Sequence, residues 1–196
     1  MKTQETYTWS NWSGFQQAHP QHILHPENVL ELQHIVQSHP KIRVVGAGHS
    51  FTPLVCTDAT LVSLNQISGV ASSDTAHCRC SIYAGTRLYN LDQYLEPINQ
   101  ALMNQGDIDQ QSLAGAVSTG THGTGADLHC ISAYVEDFEL LTASGEILNC
   151  SRTKNPEIFA AGRVSLGSLG ILTKITMQNR PRFKLKEHIQ LCTVAD

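Results

Sequence analysis

The sequence predicts an α+β domain built from two lobes. A small β-α-β-β lobe is predicted over residues 15–72, and a larger lobe over residues 73–185 with a mixed or antiparallel sheet and flanking helices. The first observation behind this prediction is a segment with apolar residues at helical spacing, which lies between short apolar runs. The second is a series of segments in which apolar and polar residues alternate, separated by turn residues. With 196 residues, of which 41% are hydrophobic, the chain is long enough to bury roughly 70% of its unfolded surface.

The first lobe is predicted from one helix and three short strands. Residues 25–40 carry apolar side chains at helical spacing, and Pro40 ends the pattern because it cannot continue a helix. The apolar runs at residues 23–24, 42–45 and 60–64 are predicted as strands around it. The apolar face of this short amphipathic helix consists of Val29, Leu32, Ile35 and Val36.

The second lobe is predicted to begin with an alternating strand at residues 78–85 and a helix at residues 85–100. Residues 134–142 and 147–150 flank the turn Ala143-Ser144-Gly145-Glu146, a pattern typical of an antiparallel hairpin. A helix at residues 155–163 and an alternating strand at residues 171–177 complete the lobe. The predicted helix at residues 85–100 would present Leu88, Leu91, Tyr94 and Leu95 on one face.

Composition excludes several classes of function. The formal net charge of −4 and an isoelectric point near 6.2 give no electrostatic reason to bind nucleic acid or an anionic membrane. The N-terminus lacks the apolar region of a signal peptide and no stretch approaches the length of a membrane span, so a cytoplasmic protein is expected. The six cysteines include no CxxC pair, so they are expected to be reduced and structural, and no metal site is expected.

A glycine-rich loop directly follows the predicted strand at residues 42–45. Consecutive small residues expose backbone N–H groups, which can bind phosphate oxygens without help from side chains. The loop does not match the P-loop, which requires a lysine, and it lacks the last glycine of the dinucleotide fingerprint GxGxxG, so a Rossmann domain is not expected. A tight turn between strands is the alternative. The loop comprises Gly46, Ala47, Gly48, His49, Ser50 and Phe51.

A second loop, at residues 112–125, is rich in glycine and hydroxyl side chains. Long loops inside compact domains are usually functional, although a structural turn remains the alternative. Neither residues 46–54 nor residues 106–130 contain a lysine or arginine. If these loops hold a pyrophosphate, they would do so with backbone dipoles, hydroxyls or a helix N-terminus, which suits a buried dinucleotide.

Five motifs follow one another along the chain. They are VVGAGHSF, TDATLVSLNQISGV, AGTRLYNL, GDIDQQSLAGAVSTGTHGTG and SLGSLGILTKIT. In this order they resemble the aldonolactone oxidase branch of the vanillyl-alcohol oxidase flavoprotein family, which includes the bacterial alditol oxidases. The resemblance covers residues 12–177 and implies an FAD-binding domain of two α+β lobes with the cofactor between them.

The resemblance also implies which residues meet FAD. His49 stands at the position that carries the flavin through its 8α-methyl group in many members of the family, while other members bind FAD without a covalent bond. Its neighbours Gly46, Ala47, Gly48, Ser50 and Phe51 would lie against the pyrophosphate, and Ile171 resembles the position on the adenine side. The second loop would supply Ser112, which resembles a residue near the flavin ring, with Gly115, Ser118, Gly120, Thr121, His122, Gly123 and Thr124.

Two further expectations follow from the residues of this second loop. His122, with His129 and Cys130, lacks the spacing of a metal site, so a structural role in the cofactor loop is expected. Family members with a second flavin bond carry a cysteine here, whereas residues 112–125 contain none, so at most one flavin bond is implied.

Members of this family continue into a cap domain that binds the substrate, whereas this sequence stops at Asp196. A fragment that does not turn over substrate alone is therefore expected. The complete enzyme would oxidise a hydroxyl of a sugar lactone or polyol by hydride transfer to flavin, with no catalytic residue in this part. The alternatives are a non-covalent FAD reductase or 2-hydroxyacid dehydrogenase of the same superfamily, and a non-enzymatic flavin-binding or interaction domain.

Overall fold

A computed structural model of the chain describes residues 7–193. Its helices are α1 (Val29–Ser38), α2 (Leu91–Leu95), α3 (Leu113–Ser118) and α4 (Pro156–Gly162). Its strands are β1 (Trp9–Ser10), β2 (Gln17–Ala18), β3 (His22–Leu24), β4 (Ile42–Val45), β5 (Thr60–Ser63), β6 (Val70–Asp74), β7 (Arg79–Tyr83), β8 (Gln100–Leu102), β9 (Val135–Leu141), β10 (Ile147–Ser151) and β11 (Ile171–Pro181). This mixture of helices and sheets confirms the predicted α+β class.

The first sheet is parallel and has the strand order β3-β5-β4. Helix α1 connects β3 to β4, as the β-α-β-β interpretation predicts. Asn28 caps the helix, because its side-chain oxygen accepts a hydrogen bond of 2.9 Å from the backbone N–H of Glu31. Strand β5 is buried along its whole length, as expected for the central strand of a covered parallel sheet.

The second sheet has six strands, and all of its pairs are antiparallel. Its order is β10-β9-β11-β7-β6, and β8 pairs with the far end of β11. The predicted hairpin is β9 and β10. The central strand β11 extends to Pro181, four residues beyond the predicted end at Met177, because it pairs with β7 and β9 and then with β8.

The hydrophobic core joins the two sheets. Leu32 and Val62 from the first lobe belong to the same cluster of buried side chains as Ile82, Phe138 and Ile175 from the second. Strand β6 crosses residue 72 and pairs with β7, so the predicted lobe boundary between residues 72 and 73 falls within a strand of the larger sheet. The two lobe ranges stay a prediction.

One predicted helix differs from the observed structure. The segment at residues 85–100 is broken into a 3-10 turn at Leu88–Asn90, α2, and a second 3-10 turn at Glu96–Ile98. Pro97 lacks the N–H that a continuing α-helix needs. The predicted buried face is partly right, because Leu88, Leu91 and Leu95 are buried.

The interpretation of residues 112–125 as a continuous loop was wrong. Residues 113–118 form α3, whose Leu113, Ala116 and Val117 are fully buried. These side chains have helical spacing, and the glycine content of the segment obscured this signal. The two-residue strands β1 and β2, which pair as an N-terminal hairpin, were not predicted.

Candidate functional site

A cleft lies where the ends of several elements meet. Strands β4 and β5 end at its first-lobe side, while the end of β7, helix α3 and the start of β11 form the other side. The cleft has about 1050 Å³ of empty space, which includes space open to solvent. Its lining is Trp9, Val44, Val45, Gly46, Ala47, Gly48, His49, Ser50, Thr52, Leu54, Val55, Leu64, Asn65, Ala84, Gly85, Gln111, Ser112, Ala114, Gly115, Ser118, Thr119, Leu166, Gly167, Gly170, Ile171 and Leu172.

Nine of the fifteen residues predicted to bind the cofactor line this cleft. They are Gly46, Ala47, Gly48, His49, Ser50, Ser112, Gly115, Ser118 and Ile171. The structure thus brings together both glycine-rich segments and the first residue of β11, which are far apart in the sequence.

The other six predicted residues lie outside the cleft lining. The Phe51 side chain is 65% exposed and packs edge-on against Trp12. The segment from Gly120 to Thr124 packs instead beside residues 104–106, where a Cβ at Gly123 would lie 2.5 Å from the carbonyl oxygen of Gln105. Within that segment, Thr121 exchanges hydrogen bonds with Gln111, and His122 Nδ1 lies 2.8 Å from the Gly123 carbonyl oxygen. Their role in cofactor binding stays a prediction.

The first glycine-rich loop presents a row of unused backbone donors. Within residues 7–193, the N–H groups of the five residues from Ala47 to Phe51 donate no hydrogen bond to the protein. Gly48 has φ +67°, and a Cβ there would lie 3.2 Å from Trp9 Cζ2, so both its backbone and its neighbour favour glycine. Successive N–H groups in such a turn form a concave site that attracts anions.

His49 is half-buried within this loop. Its ring stacks on Trp12, with ring centroids 5.2 Å apart and planes inclined by 9°. Among the described residues, no side chain or backbone group forms a hydrogen bond with either imidazole nitrogen. One face of the ring is therefore covered, while its nitrogens are free to interact with a ligand in the cleft.

The backbone N–H groups at the start of α3 form hydrogen bonds within the protein. The first two N–H groups, of Leu113 and Ala114, donate to the carbonyl oxygens of Thr86 and Ala84, at 2.8 and 3.1 Å. The N–H of Gly115 donates to Ser112 Oγ at 3.3 Å. Because these donors are used internally, the N-terminus of this six-residue helix offers little to a ligand. The anion-binding capacity lies in the first loop.

The cleft is uncharged apart from the titratable His49. Its described lining contains no lysine, arginine, aspartate or glutamate, in agreement with the absence of cations from the two segments. A pyrophosphate here would be bound by backbone N–H groups and hydroxyls, and the apolar lining from Val45, Leu64, Ala84 and Leu172 would hold the uncharged parts of a dinucleotide. The cleft therefore offers backbone donors and an apolar lining, the two kinds of contact that a dinucleotide without cationic partners would use.

Several lining residues were missed by the sequence analysis. Trp9 lines the cleft directly, and Asn11 and Trp12 contact the first loop from behind. The signal that could have identified them is the segment WSNWSG, which holds both tryptophans of this chain. Asn65 and Gln111 line the cleft as well. Both lie within the motifs TDATLVSLNQISGV and GDIDQQSLAGAVSTGTHGTG, but neither was predicted as a site residue.

Two further properties of the described residues concern metal binding and membrane insertion. Between residues 7 and 193, no three His, Cys, Asp or Glu side chains are grouped so that they could hold a metal ion. Over the same residues, every helix is too short or too polar to cross a bilayer.

A profile of the family described as "FAD binding domain" matches residues 20–151, which is more than half of the chain. This range holds β3 to β10 and both glycine-rich segments, whereas the N-terminal hairpin and β11 lie outside it.

Individual relatives agree with this match. An L-gulono-1,4-lactone dehydrogenase from Mycobacterium tuberculosis is 37% identical over 191 residues, covering 95% of this chain and 44% of the relative. An L-gulonolactone oxidase from Scyliorhinus torazame is 35% identical over 188 residues, covering 94% and 42%. A D-arabinono-1,4-lactone oxidase from Candida albicans is 35% identical over 195 residues, covering 90% and 35%.

The chain spans less than half the length of each of these three relatives. What they share with it is therefore the part that contains the cleft. With the family profile, the relatives and the motifs in agreement, the chain belongs to the FAD-binding domain family, in its aldonolactone oxidase branch.

Proposed function

We propose that this chain is the flavin-binding part of an oxidoreductase that oxidises a hydroxyl of a sugar lactone or polyol. FAD would lie in the cleft with its pyrophosphate on the N–H groups of the first loop. When bound, the flavin supplies the hydride acceptor for the oxidation. The observation that carries the proposal is the row of five free N–H groups, four of them on residues that line a cleft without lysine or arginine, since such a site suits a bound dinucleotide phosphate.

The direct contacts are proposed to be the nine predicted residues that line the cleft. Ser112 and Ser118 would contribute hydroxyls, and Ile171 would meet the adenine side. Phe51, Gly120, Thr121, His122, Gly123 and Thr124 stay proposed contacts on the strength of the motif resemblance. Substitution of each group separates the two sets by its effect on FAD affinity.

His49 is proposed to bond covalently to the 8α-methyl carbon of the flavin. The new C–N bond would replace one C–H bond of the methyl group and the N–H bond of the imidazole, and the two electrons released would pass through the flavin to an acceptor such as O2. It lines the cleft, it is stacked on Trp12, and its ring nitrogens form no hydrogen bond with a described residue. A nitrogen without a protein partner has a free lone pair in its neutral form. Neither loop carries a cysteine, which limits the site to one flavin bond.

The substrate and its activation are proposed to involve residues outside the described cleft. Removal of a hydroxyl proton needs a positioned base, and no carboxylate lies in the described lining. We therefore expect the 196-residue chain to reduce no dye or oxygen with L-gulono-1,4-lactone or a polyol. Measurable turnover by the purified chain would contradict this part of the proposal.

The test of cofactor binding is a flavin titration of the purified chain, followed by acid precipitation and in-gel fluorescence. A bound FAD at 100 times its Kd stabilises the folded state by about 2.7 kcal/mol, which appears as a raised melting temperature. Wild type is expected to retain acid-stable fluorescence that His49→Ala lacks. Equal acid-stable fluorescence in both proteins would contradict the covalent role of His49, and absence of any FAD binding would contradict the proposed function.

A further inference from the structure

The N-terminal hairpin (residues 9–18) donates hydrogen bonds to carbonyl oxygens of the first glycine-rich loop. The backbone N–H of Trp12 donates to the Gly48 carbonyl at 3.1 Å, and its indole Nε1–H donates to the His49 carbonyl at 3.2 Å. Asn11 Nδ2 donates to the Ser50 carbonyl at 3.0 Å. Four successive carbonyls are thus bound by the hairpin, because Gln16 Nε2 also donates to the Phe51 carbonyl at 3.0 Å.

Because each peptide unit is planar and trans, the hydrogen bonds to these carbonyls also fix the direction of the neighbouring N–H groups. In such a unit, the carbonyl of one residue and the N–H of the next point in opposite directions, and no cis peptide occurs among the described residues. A carbonyl that faces the hairpin therefore turns the following N–H away from it. Three of the N–H groups fixed in this way belong to His49, Ser50 and Phe51, which are among the free donors of the cleft loop. The fourth, of Thr52, donates to Ser50 Oγ, so the Gln16 contact anchors the end of the loop.

The amide of Asn11 is oriented by its surroundings. Its side-chain oxygen accepts from the Gln16 backbone N–H at 3.0 Å and from the Ser13 hydroxyl at 3.2 Å. With the oxygen engaged on two donors, the amide nitrogen is left to donate to the loop. Asn11 is 4% exposed, so solvent does not compete strongly for this contact.

We propose that Trp12, Asn11 and Gln16 are positioning residues, which hold the loop so that its N–H groups face the phosphates of the cofactor. This role rests on the proposed function, since it needs a phosphate ligand in the cleft. The hairpin does not touch the phosphates. It binds the opposite edge of each peptide, so the anion site is formed before the ligand arrives, and the affinity for FAD includes no cost of turning the peptides.

The experiment removes the side-chain donors with little change of shape. Trp12→Phe keeps an aromatic ring for the stack on His49 and loses the indole N–H, while Gln16→Met keeps the length of the side chain and loses the amide. The double variant is compared with wild type in the 196-residue chain. Phe15→Ala is the matched control, because this side chain belongs to the same hairpin and is 80% exposed.

Titration with FAD and with riboflavin separates positioning from general support, since riboflavin has the same ring system and no phosphate. The double variant is expected to bind FAD about tenfold more weakly, in line with the loss of two modest hydrogen bonds. Its affinity for riboflavin and all values of Phe15→Ala are expected to match wild type. Its melting temperature without ligand is expected to fall by no more than a few degrees, because the lost hydrogen bonds also exist in the unliganded protein.

Unchanged FAD affinity in the double variant would overturn the positioning role while leaving the proposed function intact. An equal loss for FAD and riboflavin would overturn it as well, because that result indicates support of the whole cleft. If wild type bound neither ligand, the proposed function itself would fail, and the positioning role with it. The single variants Trp12→Phe and Gln16→Met, each expected to show part of the FAD effect, replace the double variant if it does not fold.

Discussion

Gly46 lies so close to the hydroxyl of Ser112 that a Cβ atom at position 46 would overlap the serine oxygen. The two residues come from different glycine-rich segments, one after β4 and one before α3. Ser112 Oγ also caps α3 by accepting the N–H of Gly115. The contact therefore joins the anion-binding loop to the helix on the opposite wall of the cleft.

Replacement of Gly46 by alanine is expected to separate these two segments. We expect Gly46→Ala to lower the free energy of unfolding by about 1–3 kcal/mol, as overpacking of a tight contact does, and to weaken FAD binding. Urea unfolding and a fluorescence titration measure the two effects. In a double-mutant cycle with Ser112→Ala, which alone removes a cap of about 1 kcal/mol, the combined loss should be smaller than the sum. Additive losses would show that the clash does not occur.

The contact shows what the sequence could predict and what it could not. The β4 strand and its loop were predicted, because an apolar β-branched run followed by small residues is a local signal. The pairing of Gly46 with Ser112 depends on how two distant segments meet, and no spacing in the sequence encodes that distance. Similarly, α3 was missed because Gly115 and Ser118 lower helix propensity, whereas burial of Leu113 and Val117 stabilises the helix in the fold.

Gly85 is expected to be even less tolerant of a side chain. A Cβ at this position would overlap the backbone carbonyl of Leu64 and lie 2.8 Å from that of Ile67. Backbone atoms of a buried segment cannot rotate aside, so we expect Gly85→Ala to cost at least about 3 kcal/mol or to prevent folding. Soluble yield and circular dichroism check this.

The control for Gly85 is Gly14→Ala, where no atom lies within 4 Å of the new Cβ but φ is +73°. It measures the cost of backbone strain alone, about 1–2 kcal/mol. Gly85 has no positive φ, so a loss at Gly85 that does not exceed the loss at Gly14 would show that the close approach costs less than expected.

Residues of the second glycine-rich segment are expected to differ in their effect on FAD affinity, according to whether they line the cleft. Ser118 lines the cleft, whereas His122 is exposed and interacts with the Gly123 carbonyl. We expect Ser118→Val to raise the Kd for FAD about tenfold, by adding bulk and removing a hydroxyl, and His122→Ala to raise it by a smaller factor of about two to three, because its side chain lies outside the cleft lining. Isothermal titration of both variants measures this. A large loss in His122→Ala alone would place the cofactor closer to the Thr121-His122-Gly123 turn than the cleft lining indicates.

Alkaline pH is expected to destabilise the fold through Cys80. The side chain is buried in β7, and this burial raises the pKa of its thiol to about 11, above the value of about 8.5 for a free thiol. Between these pH values the unfolded chain loses the proton that the folded chain keeps, so the unfolded state binds fewer protons and stability falls as pH rises. The contribution is complete below the unfolded pKa and is largely lost by about pH 11, a change of about 3 kcal/mol at about 1.4 kcal/mol per pKa unit.

Urea unfolding between pH 8 and pH 11 in wild type and Cys80→Ala measures this contribution. The variant is expected to lose stability uniformly because of the smaller side chain, but to show a shallower fall with pH. Cys192→Ala, which removes an exposed thiol, is the control and should keep the wild-type slope. Parallel curves for wild type and Cys80→Ala would show that the Cys80 thiol does not contribute to the alkaline loss of stability.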